Sequence, residues 1–276
     1  MMGAVVSFSL MAIAGREISF ELDTFEIMMY RSIVGLFIVV IFARVAGTLG
    51  QVNTRNMDLQ LTRNVFHFAG QNLWFYAIAL IPLAQVFAFE FTTPIWVLLL
   101  SPFLLGERLT RMRIFAAIAG FIGILFVARP EAASLSIGTI SAALAAVGFA
   151  GSYIFTKKLT QVQSLTSILF WMTLTQAIFG LATAGFDGDI ARPSAESLPW
   201  LAVIAFCGLS AHFCIASALS VAPATLVAPI DFVRLPVIAL LGLILYNEAI
   251  DALIIVGAVI IFLANYLNLL SETRKS

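Results

Sequence analysis

Two stretches of the chain, FAFEFTTPIWVLLLSPFLLGERL (87–109) and APIDFVRLPVIALLGLILYNEAI (228–250), can be aligned with one constant shift of 141 positions. The shift places Glu90 on Asp231, so two carboxylates inside apolar segments occupy equivalent positions. Further pairs share the same shift: Arg16 with Lys157, Pro82 with Pro223, Phe91 with Phe232, and Glu107 with Glu248. Because prolines and charged residues match by chance less often than leucines do, the pattern predicts a duplicated unit.

The composition is that of a membrane protein. Of the 276 residues, 61% are hydrophobic and 11% are charged, and the mean hydropathy is +1.03. A soluble domain carries about 25% charged residues, so this chain lacks the polar surface that a water-soluble protein needs. Apolar runs long enough to cross a hydrocarbon core about 30 Å thick recur along the chain. They are uniformly apolar, whereas barrel strands alternate. The sequence therefore predicts an all-α polytopic membrane protein.

Ten apolar segments have the length of transmembrane helices. We predict spans near residues 2–20, 25–44, 63–80, 83–105, 112–127, 138–155, 165–185, 198–219, 224–246 and 252–270. Five spans in each copy of the unit give two domains, residues 1–130 and 136–271, followed by a short cytoplasmic tail at 272–276.

The distribution of basic residues predicts the orientation. With the N-terminus placed in the cytoplasm, ten of the 15 lysine and arginine residues fall on the cytoplasmic side, Arg63 among them, and three fall outside. Arg31 and Arg234 lie within spans. Cytoplasmic loops carry the excess of Lys and Arg in membrane proteins, so we expect both termini in the cytoplasm and the protein in a bacterial inner membrane.

An odd number of spans per unit forces the second copy to enter the bilayer upside down. Inverted repeats of this kind place substrate sites near the midplane where the halves meet, and rocking of one half against the other alternates access. A duplication unconnected with transport is the alternative. The architecture therefore favours a transporter.

The stretch LIPLAQVFAFEFTTPIWVLLLSPFLLGERLTRMRIFAAIAGFIGIL (80–125) resembles the EamA-type repeat of the drug/metabolite transporter superfamily. It has proline at the start of the fourth helix, Thr-Pro in the middle, and Gly-Glu-Arg at the end. The second half follows more loosely: Asn247 replaces the glycine, and the mid-helix proline moves one place to Pro236. The resemblance covers the whole chain and implies ten helices in two inverted repeats around a central cavity. Members of the superfamily move amino acids, nucleotide sugars, vitamins such as riboflavin, S-adenosylmethionine or toxic cations, so the substrate stays open.

Charged residues within the spans are the first candidates for the site. An ionised side chain at the bilayer centre costs at least about 2.5–3.5 kcal/mol, which favours a cavity position for Glu90. Arg31 and Glu90 both lie roughly 9–11 Å from the same membrane face, so we predict that they face one vestibule and pair, directly or through the substrate. Asp231 and Arg234, three residues apart on a helix, can pair with each other as a second gate. A structural ion pair that locks two helices is the alternative.

Polar and aromatic residues complete the predicted binding site. His67, Gln71 and Trp74 share one helix face, at spacings of four and three, and the last two could bond to and stack on a ligand. Further candidates are single polar or aromatic residues within spans: Tyr30, Trp96, Trp171, Gln176 and His212. Pro94 and Pro236 each remove a backbone hydrogen bond within a helix, which favours hinges near the two carboxylates.

These features predict a secondary active transporter of a small organic metabolite, with proton coupling or exchange left open. An amino acid, a riboflavin-like vitamin and a nucleoside-type compound fit equally. The alternatives are an efflux pump for toxic or cationic compounds, a passive channel, and an integral-membrane enzyme, which would need a catalytic motif that the sequence lacks. We expect no cofactor, no metal site and no nucleic-acid partner. We also expect a monomer or homodimer in the bilayer.

Overall fold

The computed structural model describes residues 1–128, 136–186, 189–247 and 252–273. This part of the chain is helical throughout and contains no strand. The helices are α1 (Met2–Ile18), α2 (Thr24–Val45), α3 (Met57–Leu80), α4 (Leu83–Glu90), α5 (Thr93–Leu104), α6 (Arg111–Ala128), α7 (Ile137–Leu159), α8 (Leu165–Ala184), α9 (Leu198–Val221), α10 (Ala224–Ile230), α11 (Arg234–Tyr246) and α12 (Ala252–Thr273). With α4–α5 and α10–α11 each counted as one interrupted segment, the described residues form ten successive helical segments, and each overlaps one of the predicted spans.

Five segments within the described ranges are long and apolar enough to cross a membrane, by length and composition alone. They are Thr24–Val45, Gln85–Leu104, Ile137–Leu159, Leu165–Ala184 and Leu198–Val221. Large apolar side chains cover the outside of the bundle; Phe42 and Phe103, for example, are 65% and 86% exposed. Apolar patches of this extent are rare on soluble monomers, so the surface is suited to lipid.

The fourth segment of each half is broken, and both breaks come at the same repeat position. α4 ends at Glu90, and α5 begins three residues later at Thr93, with Pro94 in its first turn. In the second half α10 gives way to a 3₁₀ turn at Asp231–Val233, and Pro236 lies in the first turn of α11. Proline fits a first helical turn because the amide that it lacks would have no partner there. The predicted disruptions are therefore full breaks at the two carboxylates: the first follows Glu90, and the second begins with Asp231.

The packing relates the two halves by an approximate two-fold axis. α1 packs along α9, and its counterpart α7 packs along α3. α2 packs against its own counterpart α8, and α6 packs against its counterpart α12. Across the breaks, α4 contacts α11 while α5 contacts α10. Exchanging the halves maps each of these contacts onto another of them or onto itself, which is the packing expected of two copies of one unit.

Residues at the helix ends repeat in the same way. Gly106 and Asn247 both adopt positive φ, +66° and +52°, directly after the fourth segment of their half. This left-handed conformation terminates helices and is tolerated by glycine and asparagine, which explains the sequence change between the halves. Asp23 caps the start of α2, and its repeat equivalent Ser164 caps the start of α8. The backbone has therefore kept the duplication where the side chains have diverged.

A basic residue binds the same pair of carbonyls in each half. Arg16 donates from Nη2 to the carbonyl oxygens of Ile78 (3.4 Å) and Ile81 (2.7 Å) at the end of α3. Its equivalent Lys157 donates from Nζ to the carbonyls of two residues at the end of α9, Leu219 (2.7 Å) and Ala222 (2.9 Å). The carbonyls are also related by the shift of 141 positions. Each base satisfies carbonyls that a helix end leaves without partners.

Candidate functional site

An ion cluster lies where the two interrupted segments cross. Nη2 of Arg234 donates to Oε1 of Glu90 and, at 2.6 Å, to Oδ2 of Asp231. All three residues are more than nine-tenths buried. The predicted pairing of Asp231 with Arg234 is confirmed. The two acids come from different halves and share one guanidinium, so the structure has one cluster where the sequence predicted two separate gates.

Aromatic side chains surround the cluster. The indole Nε1 of Trp74 donates to Oε2 of Glu90 at 2.6 Å, so both oxygens of that carboxylate have a partner. The guanidinium carbon of Arg234 lies 4.8 Å from the ring centre of Phe8 and 4.9 Å from that of Phe87. Cations are attracted to the faces of aromatic rings at such distances. The rings and the two carboxylates together hold the guanidinium in place.

A cavity opens beside this cluster and is built from both halves of the chain. It holds about 650 Å³ of space between atoms, including the part that is open to solvent. Six of the predicted binding residues line it: Gln71, Trp74, Glu90, His212, Asp231 and Arg234. The predicted hinge residue Pro94 lines it as well. The sequence did not single out the following lining residues: Phe8, Met11, Arg63, Phe91, Thr93, Phe149, Ser152, Tyr153, Thr156, Ile215 and Ala228.

One face of α3 supplies a row of polar groups to the cavity. Arg63, His67, Gln71 and Trp74 follow one another at spacings of four, four and three, which puts them on the same side of the helix. Nε2 of His67 lies 2.7 Å from Nε2 of His212 on α9, so one ring donates and the other accepts. This hydrogen bond joins the two halves beside the cavity.

Arg63 is a cavity residue, and its placement at the cytoplasmic end of a span is wrong. α3 begins at Met57, six residues earlier than predicted, so Arg63 lies about 9 Å inside the helix. It is 2% exposed and donates from Nε to Oγ1 of Thr156 at 3.1 Å and from Nη1 to Oδ1 of Asn64 at 2.9 Å. The first turns of α3 are polar, so their mean hydropathy is too low to indicate a membrane span. Extending the row of His67 and Gln71 by one turn would have found it.

Arg31 neither lines the same cavity as Glu90 nor pairs with it directly, contrary to the prediction. Its guanidinium lies against Sδ of Met11 at 3.7 Å and over the ring of Phe75 at 5.9 Å, and it lines a second cavity. Residue counts along the helices give the depth of each side chain in the membrane, but they do not give the direction in which the side chain points. Arg234 of the opposite half lies against Glu90 instead, because the broken segments bring positions 90 and 231 together.

The other predicted binding residues lie away from the main cavity. Gln176 lines the second cavity and donates to the backbone carbonyl of Asn64 at 2.9 Å. Tyr30 and its repeat equivalent Trp171 each hydrogen-bond to a loop carbonyl, of Ala191 at 2.8 Å and of Asn53 at 2.7 Å. These two contacts tie a helix of one half to a loop of the other. Trp96 is 40% exposed and lines an apolar groove on the outside.

Comparison with known proteins identifies the architecture. The EamA-like transporter family matches the chain twice, over residues 1–129 and 136–270. Two relatives align over nearly all of the chain and more than nine-tenths of their own length. One is an S-adenosylmethionine uptake transporter of Rickettsia bellii, which is 25% identical over 98% of this chain and 92% of its own length. The other is a pseudopaline exporter of Pseudomonas aeruginosa, which is 28% identical over 99% of this chain and 94% of its own length. A Brucella anthropi riboflavin transporter is 32% identical over 72% of this chain and 71% of its own.

A solved crystal structure that is 18% identical in sequence covers 100% of this chain and 97% of its own, with a TM-score of 0.79. That likeness supports the fold. The family matches and the names of the relatives indicate a membrane transporter of small metabolites and not an enzyme. The resemblance seen in the sequence is thereby confirmed, and the chain belongs to the EamA-like transporter family, within the drug/metabolite transporter superfamily.

Proposed function

We propose that this protein is a secondary active carrier that moves a small zwitterionic metabolite with a planar part across the bacterial inner membrane by alternating access. Both termini face the cytoplasm in this proposal, in line with the bias of basic residues. One observation carries it: the cavity is lined by both repeats and has the cluster of Glu90, Asp231 and Arg234 at the crossing of two broken helices. Carriers built from inverted repeats use such sites at the repeat interface.

The composition of the ion cluster is compatible with motion of one repeat against the other. Glu90 belongs to the first repeat, whereas Asp231 and Arg234 belong to the second. Rocking of one repeat against the other would change the distance from Arg234 to Glu90 and keep its distance to Asp231 nearly constant. A carboxylate that loses its cation inside the membrane must find another cation, either a proton or a group on the substrate. We therefore propose that Glu90 couples the cycle to protons or to the substrate.

The lining of the cavity supports the substrate class. Rings of Phe8, Trp74 and Phe149 offer apolar faces for a planar group. Charged groups of both signs, Glu90 and Asp231 on one side and Arg63 on the other, suit a molecule that carries both charges. S-adenosylmethionine combines a purine ring with an amino-acid group, so it is the first compound that we would test, followed by riboflavin and aromatic amino acids.

Export is the second candidate direction, and the relative named as a pseudopaline exporter favours it. Import and export can use one carrier, because the gradient sets the direction of net flow. Uptake by intact cells and uptake by inside-out vesicles would distinguish the two.

The test is counterflow in proteoliposomes that contain the full-length protein. Labelled S-adenosylmethionine, riboflavin and phenylalanine are each offered outside vesicles that are loaded with the same unlabelled compound. A carrier gives saturable, transient accumulation of its substrate, and a Glu90→Gln variant should lose it or change its pH dependence. Glu196→Gln, which removes a carboxylate from an exposed loop, is the matched control. Non-saturable flux would indicate a channel, and an unchanged rate and pH profile for Glu90→Gln would exclude this residue from the mechanism.

A further inference from the structure

Two buried arginines have no acidic partner among the described residues. Arg63 is 2% exposed and bonds only to the neutral side chains of Thr156 and Asn64. Arg31 is 6% exposed, and its contacts are a thioether and an aromatic ring. Four arginines are buried among the described residues, Arg31, Arg63, Arg113 and Arg234. Arg234 has two carboxylate partners, whereas Arg31 and Arg63 have no anionic partner in the described part of the chain.

An uncompensated buried charge is costly. The desolvation free energy of a guanidinium ion is offset only by an opposite charge or by a full set of hydrogen-bond acceptors. Arg63 has two acceptors for its five N–H donors within the described part of the chain. A carboxylate fits the planar fork of a guanidinium with two parallel bonds. An anion from outside the chain would therefore satisfy what the protein leaves open.

The two arginines are attached to their helices near opposite ends of the bundle, and their side chains come close enough to interact with each other electrostatically. Arg63 is six residues from the start of α3, about 9 Å, and on the predicted topology that end is cytoplasmic. Arg31 is seven residues from the start of α2, about 10 Å from the outer end. The hydrogen-bonded pair His67–His212 lies between these levels. His212 lines both the main cavity, which contains Arg63, and the second cavity of about 290 Å³, which contains Arg31.

Unpartnered polar atoms point to the same use. Nε2 of Gln71, a donor, is buried in the lining of the main cavity without a hydrogen-bond partner. On the acidic side, Oδ1 of Asp231 is buried and also lacks a partner. The main cavity thus offers a free donor on the face of α3 that also carries Arg63, and a free acceptor at the ion cluster. Buried polar groups without partners are uncommon in folded proteins, and here they have the polarity that a zwitterion requires.

We propose that Arg63 and Arg31 are two stations for the carboxylate of the substrate, one in each cavity, with the His67–His212 pair between them. The carboxylate binds to Arg63 in the main cavity and passes to Arg31 when the halves move. The substrate class is then a metabolite with a free carboxylate and not merely a planar compound. This inference rests on the proposed carrier function and makes it more specific.

The test measures thermal unfolding of the full-length protein in detergent with two matched probes, benzoate and its neutral isostere benzamide. Benzoate should raise the unfolding temperature saturably, whereas benzamide should not. Arg63→Gln and Arg31→Gln should each reduce the benzoate shift without abolishing it, because each variant loses the hydrogen bonds of one station and keeps the other station. The double variant should show no shift. Arg55→Gln, which removes an arginine from an exposed loop, should keep the wild-type response.

Three outcomes would overturn the proposal. Equal shifts with benzoate and benzamide, or none with either, would mean that no carboxylate site exists. A benzoate shift that survives in the double variant would place the site elsewhere. Equal stabilisation by chloride or inorganic phosphate would indicate a site for a resident inorganic anion.

Two further measurements distinguish a binding role of Arg63 from a structural role, and the carboxylate stations from the carrier function. Without ligand, Arg63→Gln should unfold at a temperature no lower than the wild type, because it removes an uncompensated charge. A purely structural arginine would give a lower temperature. Counterflow tests the carrier independently, so a protein that transports without discriminating benzoate from benzamide refutes the carboxylate stations alone.

Discussion

Glu90 and Asp231 occupy equivalent positions in the two repeats and accept hydrogen bonds from the same nitrogen atom, Nη2 of Arg234. The repeat equivalent of Arg234 is Thr93, which also lines the cavity. The cluster therefore contains two acids and one base, and the symmetry of the fold is broken at the point where the charges meet. An asymmetric centre inside a symmetric scaffold allows the two end states of a transport cycle to differ in energy.

Removing the shared cation should cost much more stability than removing one acid. Arg234→Gln leaves two buried carboxylates without a cation, and we expect a loss of about 3–5 kcal/mol in the free energy of unfolding. Adding Glu90→Gln to this variant should recover part of the loss, because one uncompensated charge is then removed. Chemical unfolding of the four proteins in detergent measures the coupling. Additive effects of the two substitutions would show that the residues do not interact.

The indole of Trp74 should affect the carboxylate that it contacts more than the shape of the cavity. Trp74→Phe keeps an aromatic ring but removes the N–H that bonds to Oε2 of Glu90. A hydrogen bond to a charged group contributes about 1.5–3 kcal/mol. Without this bond the ionised form of Glu90 is less stable, so the free energy needed to separate Glu90 from Arg234 should change. We expect a shifted pH dependence of counterflow in a folded protein. Trp96→Phe, on the outer groove, is the control and should transport like the wild type.

The sequence was sufficient for the parts of the fold that depend on periodicity and duplication. The apolar segments follow from hydropathy, the repeat from the constant shift of 141 positions, and the breaks from Pro94 and Pro236. The Asp231–Arg234 pair follows from spacing along one helix. The Arg31–Glu90 pair was wrong because the direction of a side chain depends on how the helices pack. Arg63 was missed because the first turns of α3 are polar. His67–His212 is a contact between halves, which spacing along a chain does not reveal.

The repeat-related bases Arg16 and Lys157 should contribute equally to stability. Each donates to two carbonyls at the end of a packed helix, so Arg16→Gln and Lys157→Gln should each lower the free energy of unfolding by about 1–2 kcal/mol. Because the bases lie in different halves, the double variant should show the sum of the two effects. A large effect in one half and none in the other would contradict the equivalence of the two contacts.

The loops that follow α1 and α8 should lose a contact in acid. Hydrogen bonds from the backbone N–H and the side chain of Ser194 hold the pKa of the Glu21 carboxyl below its usual 4.5, and Ser197 contributes as well. A carboxyl whose folded pKa is lowered adds stability above the unfolded pKa, and that stability is lost as the pH falls through the folded value. The unfolding temperatures of the wild type and Glu21→Gln should therefore differ above about pH 4.5 and converge in stronger acid. A constant difference at all pH values would mean that the ionised carboxylate is not responsible.

Glu107 should control how firmly the start of α10 is held. Its Oε1 accepts from the amide of Ala224 at 2.8 Å, and its Oε2 accepts from the amide of Thr225 at 3.2 Å and from its hydroxyl at 2.7 Å. A carboxylate at a helix start satisfies free amides and interacts favourably with the helix dipole. Because Glu107 follows α5, it ties the fourth segment of the first half to the ninth segment of the chain. We expect Glu107→Ala to expose the amides of Ala224 and Thr225, so hydrogen exchange should accelerate there and not at the start of α7. If opening of this end accompanies transport, counterflow should change in the same variant, whereas unaltered exchange at both amides would show that the carboxylate does not hold the helix start.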